Sequence, residues 1–131
     1  MDALLARQNE LLKKHGWFLH FVLPDEQYPF KINIHTHGFP EKFNHLDVQI
    51  CAPLSPGTAQ GIMNAIVKKI QKGKVFKANT QYNGIIERFP VLIRAAREDE
   101  REVLRIVLPD KCGSFDSGFS KSQIKDIRRL N

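Results

Sequence analysis

The sequence predicts one α+β domain over residues 1–131: a mostly antiparallel sheet packed against one long central helix, with further helices at the N- and C-terminal ends. Three observations point there. Short runs with alternating or continuous apolar residues fall into two groups, one on each side of residues 56–72. That intervening segment repeats Ala59, Ile62, Met63, Ile66, Val67 and Ile70 at helical spacing, so they form one apolar stripe. A chain of 131 residues with 42% apolar content suffices for one core, and no repeat, low-complexity stretch or linker divides it.

Residues 3–14 read as a helix, with Leu4, Leu5, Leu11 and Leu12 on a face that includes Gln8; Gly16 ends it. Residues 17–23 are apolar and dense in aromatics, as a strand requires. Pro24-Asp25 begins a turn, and residues 28–36 return as a second strand. There Ile32, Ile34 and Thr36 face one way, and Asn33, His35 and His37 the other. Gly38 and Pro40 mark a loop. Residues 46–51 form a third strand, with Leu46, Val48 and Ile50 opposed to His45, Asp47 and Gln49. In the long helix Ser55 is the cap, Pro56 suits the first helical position and Gly73 the end. Residues 74–84 are polar and turn at Asn83-Gly84. Two strands, 91–96 and 102–108, flank an acidic tip at Glu98-Asp99-Glu100, and Pro109-Asp110 stops the second. After a loop carrying Phe115 and Phe119, residues 120–130 read as a short basic helix.

Four motifs in this order resemble a small bacterial family described as a domain of unknown function. They are Gly16-Trp17 opening a strand, Thr36-His37-Gly38-Phe39 closing one, Ile62-Met63-Asn64 in a helix that ends at Gly73, and Leu108-Pro109-Asp110 followed by Gly113. The resemblance covers roughly residues 15–118. It implies a compact α+β domain found in bacteria, their phages and mobile elements, and it brings no activity with it. This chain has His35 where the family usually has an aromatic residue before the Thr. It also has a short acidic turn where members often carry an extra helical segment before the last strand, so no pocket built by that segment is carried over.

The formal net charge of +6 is unevenly distributed. Residues 1–65 hold five basic and six acidic side chains, and residues 66–131 hold fifteen and eight, so the whole excess lies in the second half. Lys68, Lys69, Lys72, Lys74 and Lys77 follow one another with no acid among them, and can be continued by Arg88, Arg94, Arg97, Arg105, Lys121, Lys125, Arg128 and Arg129. Such asymmetry favours an acidic partner, a nucleic acid or an acidic protein; the competing reading is a solvated basic face. Cys51 and Cys112 belong to no Cys-x-x-Cys pair, residues 1–10 lack a signal-peptide pattern, and no apolar run is long enough to span a membrane. A cytoplasmic protein with two thiols is the expectation, one disulfide the alternative.

All five histidines lie within residues 15–45: His15, His20, His35, His37 and His45. If the second and third strands pair antiparallel, His35, His37, His45 and Asp47 share a sheet face, a donor set suited to zinc. The competing reading is a polar sheet face without cofactor. Cys51 near a helix start suggests a nucleophile less than it suggests a small buried residue. The helix start at 53–61 offers amides to an anion such as a nucleotide phosphate, without phosphate-loop spacing. Asp110 and Asp116 form a carboxylate pair only if their loop folds back. The expected function is therefore a non-enzymatic binding or regulatory module with a basic surface, in the manner of a bacterial or phage accessory factor in host defence or counter-defence. The alternative is a small metal- or nucleotide-binding enzyme with its site near Thr36, His37, Gly38 and Asp110.

Overall fold

A computed structural model describes residues 3–22, 31–98 and 100–124. Among the described residues, six strands form a single sheet: β1 (Phe18–Val22), β2 (Ile32–His37), β3 (Asp47–Ala52), β4 (Thr80–Tyr82), β5 (Val91–Glu98) and β6 (Arg101–Val107), in the order β1-β2-β3-β6-β5-β4. Four of the five pairings are antiparallel. The exception is β3 with β6, the seam where the hairpin pair β1–β2–β3 meets β6–β5–β4. The sheet is accompanied, among the described residues, by four helices, α1 (Ala3–His15), α2 (Phe39–Phe43), α3 (Pro56–Gln71) and α4 (Gly118–Ile124). The domain is thus α+β with a mixed, mostly antiparallel sheet.

α3 forms where its caps dictate. Ser55 Oγ accepts the Thr58 N–H at 3.2 Å, and Pro56 occupies the first turn, where no N–H is needed. Ala59, Met63, Ile66, Val67 and Ile70 are buried in one cluster with Ile32 and Ile34 of β2, Val48 and Ile50 of β3, Ile93 of β5, and Leu104 and Ile106 of β6. Each large apolar side chain so removed from water contributes about 1.5–3 kcal/mol before ordering entropy is subtracted. Ile62 packs against this cluster while staying half-buried.

The same strands turn their other residues to the opposite face, which mixes polar side chains with buried Cys51, Val103 and Val107. Asn33, His35, Gln49 and Arg105 are buried there, with Gln123 of α4 beside them. Gln123 holds α4 in place: its side chain accepts the Leu108 N–H at 2.7 Å and donates to the Leu108 carbonyl at 3.0 Å.

Two local readings change. The loop expected at Gly38 and Pro40 contains α2, because Pro40 sits in a first helical turn and fully buried Phe39 anchors it. The polar stretch before Asn83 contains β4, paired to β5. The turn at Pro24-Asp25, the start of the second strand at 28–30, Asp99 and the terminal helix beyond Ile124 (with Lys125, Arg128 and Arg129) lie outside the described residues, as do the side chains of Leu4 and Leu5. Cys51 is buried, Cys112 is exposed, and neither is in a disulfide. No described helix is long and apolar enough to cross a membrane.

Candidate functional site

Two regions collect the residues singled out by the sequence: a histidine cleft on the sheet face opposite α3 and a lysine groove at the exit of α3.

The cleft, about 940 Å³, is bounded by α1, the start of β1, the end of β2, α2 and the β5–β6 tip. Its frame depends on one close approach. Gly38 has φ +103°, and a Cβ there would stand 2.3 Å from the Gly16 carbonyl oxygen. The Gly16-Trp17 and Thr36–Phe39 motifs therefore touch each other, and the Trp17 ring meets Phe39 edge-on at 5.5 Å.

Strand register then assembles the histidines. β1 pairs with β2 so that His20 lies opposite His35 and Phe18 opposite His37. His35 and His37 share a side because the strand repeat is two residues. One nitrogen from each of His20, His35 and His37 lies within 4.8 Å of the others. His37 also stacks on Phe18, with ring centroids 4.9 Å apart.

His35 is the deepest of the three, 2% exposed. Its tautomer follows from a chain of hydrogen bonds. Arg105 has only donors, and its Nε and Nη2 reach Gln49 Oε1 at 2.9 and 2.7 Å. The oxygen of Gln49 therefore faces Arg105, and its Nε2 donates to Asn33 Oδ1 at 3.0 Å. Asn33 Oδ1 is an acceptor, so the His35 Nδ1 at 3.0 Å must be the protonated nitrogen. That leaves the lone pair on Nε2, which has no hydrogen-bond partner. Glu98 Oε1 stands 3.1 Å from Nε2, an ion-pair distance if the ring is charged. It is not charged at neutral pH: burial, then the charges of His37, His20 and Arg101, lower the His35 pKa to about 3. Burial outweighs the carboxylate, and an imidazole lone pair faces a carboxylate oxygen.

Arg101 organises the rest. It donates to Asp47 Oδ2 at 2.6 Å, to the Thr36 carbonyl at 2.9 Å and to Glu98 Oε2 at 3.0 Å. Asp47 Oδ1 accepts from Thr36 Oγ1 at 2.8 Å and from the Phe39 N–H at 3.1 Å. Burial raises the Asp47 pKa, against the opposing pull of those hydrogen bonds and of Arg101.

The set His35, His37, His45 and Asp47 therefore needs correction. His45 precedes β3 and lies against Phe76 on the α3 side; its Nε2 accepts the Phe76 N–H at 3.0 Å and its Nδ1 donates to the Leu46 carbonyl at 2.7 Å, so both nitrogens are used. Asp47 lines the cleft with both oxygens engaged by Arg101, Thr36 and Phe39. His20, which sequence reasoning missed, takes their place; its only signal was an alternating position in an apolar run. The grouping of Thr36, His37, Gly38 and Asp110 divides too. His37 and Gly38 line the cleft and Thr36 is buried behind it, whereas Asp110 follows the far end of β6, on the order of 20 Å away along the strand. There Asp110 Oδ1 accepts from the N–H groups of Cys112 and Ser114, which closes a turn. The Ser114 and Cys112 N–H groups lower its pKa. Cys51 is fully buried, so its thiol has no access to a substrate.

The lysine groove, about 540 Å³, is lined by Lys69 from the last turn of α3, by its C-cap Lys72, by Lys74, and by Gln81, Tyr82 and Asn83. The Lys74 ammonium lies 4.9 Å from the Tyr82 ring centroid. Tyr82 is held edge-on to buried Phe76 at 4.8 Å, and its hydroxyl oxygen accepts the Lys77 N–H at 2.8 Å. Lys68 and Lys77 are exposed but do not line the groove. Among the described residues, no ion pair involves any of these five lysines. Arg105, counted from sequence as an extension of this face, is buried on the other side of the sheet because α4 covers it.

The chain belongs to the family described as Domain of unknown function (DUF4262), whose model matches residues 11–116. No curated protein and no solved structure matches it.

Proposed function

We propose that this member of the DUF4262 family is a binding or regulatory module that docks an acidic partner, a nucleic acid or an acidic protein surface, in the lysine groove at the exit of α3. The observation that carries the reading is local: three cations from two segments converge around Tyr82, and no carboxylate lines the groove. Lys69 and Lys72 also complement the negative end of the α3 dipole, worth about 0.3–1 kcal/mol each, which accounts for part of their placement. It does not account for Lys74, which lies beyond the helix with its ammonium over an aromatic ring. A half-buried aromatic ring among cations suits a phosphate-bearing chain, since a base can stack on it where phosphates are neutralised.

α3 serves as the scaffold: its buried stripe fixes the direction in which Lys69 and Lys72 leave the core. Two cysteines outside any disulfide fit a cytoplasmic location. A role among bacterial or phage accessory factors in host defence or counter-defence fits a small basic module and rests on the resemblance alone.

The test is retention on heparin followed by a mobility shift with mixed oligonucleotides across a salt series, for the native chain and the triple variant Lys69→Gln/Lys72→Gln/Lys74→Gln. A nucleic-acid partner gives binding that falls steeply with salt and is lost in the variant. A protein partner gives weak oligonucleotide binding and a shallower salt dependence in pull-down. Native-like binding by the triple variant overturns the assignment.

A further inference from the structure

We propose that the cleft is a divalent transition-metal site of the zinc class, with His20, His35 and His37 as its protein ligands. This site is separate from the lysine groove and stands independently of it.

The geometry begins with three imidazoles from two paired strands, a nitrogen of each within 4.8 Å of the others. Tetrahedral bonds of about 2.0–2.1 Å put ligand nitrogens about 3.4 Å apart, so the rings have to close by on the order of 1 Å around an ion. His20 and His37 are half-buried at the cleft wall and have room to do so. His35 is the fixed member. It presents Nε2 because the Arg105–Gln49–Asn33 chain commits its Nδ1–H to Asn33, the outer-shell carbonyl contact that orients a metal-binding histidine.

An electron pair on a nitrogen that is nearly sealed from water is costly to leave unused. Here it faces a carboxylate oxygen of Glu98 at 3.1 Å, so the two electron-rich atoms repel unless a proton or a metal cation is held between them. The surroundings favour that cation. Glu41, Asp47, Glu98 and Glu102 line the cleft against the single guanidinium of Arg101, on a protein whose net charge is +6. Imidazole donors select zinc, copper, nickel or cobalt over magnesium or calcium. Three protein ligands beside an open cleft match a site that keeps a coordination position for water or substrate, rather than a closed structural site. The competing arrangement is a proton held between His35 Nε2 and Glu98 Oε1, which an incoming metal ion displaces.

The experiment uses the full chain without a histidine tag, stripped with chelator. Zinc is titrated by calorimetry, and cobalt(II) is added as a spectroscopic probe of coordination. One equivalent of zinc binds, with a visible cobalt spectrum of tetrahedral intensity that zinc abolishes. His20→Gln and His37→Gln, which alter cleft-wall side chains and keep the native melting temperature in the metal-free state, each weaken zinc binding at least about 100-fold. Asn33→Leu weakens it about 10–100-fold, and Asn33→Asp, which keeps the acceptor, restores it. The lysine triple variant binds zinc normally. Absence of zinc binding by the native chain overturns the proposal, and so does undiminished binding in the His20→Gln/His37→Gln double variant.

Discussion

The histidine cleft and the lysine groove differ in how much of each site is built before a ligand arrives. Behind the cleft wall, His35, Asn33, Gln49 and Arg105 are buried and joined by hydrogen bonds, and Arg101 ties Asp47, Thr36 and Glu98 together. Few rotamers remain to be lost there. In the groove Lys72 and Lys74 are exposed and Lys69 half-buried, Lys74 meets the Tyr82 ring, and Tyr82 is held by Phe76 and Lys77. Each lysine immobilised by a partner loses up to about 1.5–2 kcal/mol of rotamer entropy. The cleft therefore suits a small ligand recognised by fixed geometry, and the groove suits an extended partner recognised by charge.

The sharpest way to separate the two regions is pH. His35 has a depressed pKa of about 3, against 6.5 when unfolded. Between these values the unfolded chain binds the proton and the folded chain does not, so stability contributed by the neutral ring is present above about pH 6.5 and is lost as pH falls toward 3. The groups facing the ring, His20, His37, Glu98 and Arg101, modulate this window. Metal-free protein unfolded in urea from pH 7 to pH 4 should lose about 3 kcal/mol of stability at most from this residue, and His35→Gln should flatten the slope. An identical slope in the variant means that His35 is not the group responsible.

Next in size is the chain behind His35. Gln49→Leu removes the acceptor shared by Arg105 Nε and Nη2 and the donor to Asn33. A loss of about 3 kcal/mol in urea unfolding is expected. A loss below about 0.5 kcal/mol contradicts the hydrogen-bond chain.

Gly38→Ala tests the cleft frame. The added methyl meets the Gly16 carbonyl at 2.3 Å in a backbone region that alanine avoids, so the cost is about 2 kcal/mol, read from the melting temperature. The groove responds least. Lys69→Gln/Lys72→Gln/Lys74→Gln should change stability by less than about 1 kcal/mol while removing heparin retention, and a larger destabilisation marks these lysines as structural rather than partner-binding.

How far each region was legible depended on the range of the interactions involved. The α3 stripe and its Ser55 and Pro56 start depend on contacts within a turn or two of helix, and Ala59, Met63, Ile66, Val67 and Ile70 are buried as their spacing implied. His35 and His37 share a side for the same local reason. His20 joined them only through the β1–β2 register. His45 was misplaced because β3 begins at Asp47, so strand alternation does not extend back to it. Arg105 looked like one more surface cation until α4 covered its face.

Sequence alone determined the α+β class, the α3 stripe, the paired orientation of His35 and His37 and the concentration of positive charge in the second half, because periodicity and composition act through neighbours along the chain. Tertiary structure decided that His20 completes the cluster, that Arg105 points inward to set the His35 tautomer, and that Asp110 stands apart from the cleft. Strand pairing and helix docking bring together residues far apart in sequence, and register and burial, rather than residue type, determine which of them meet.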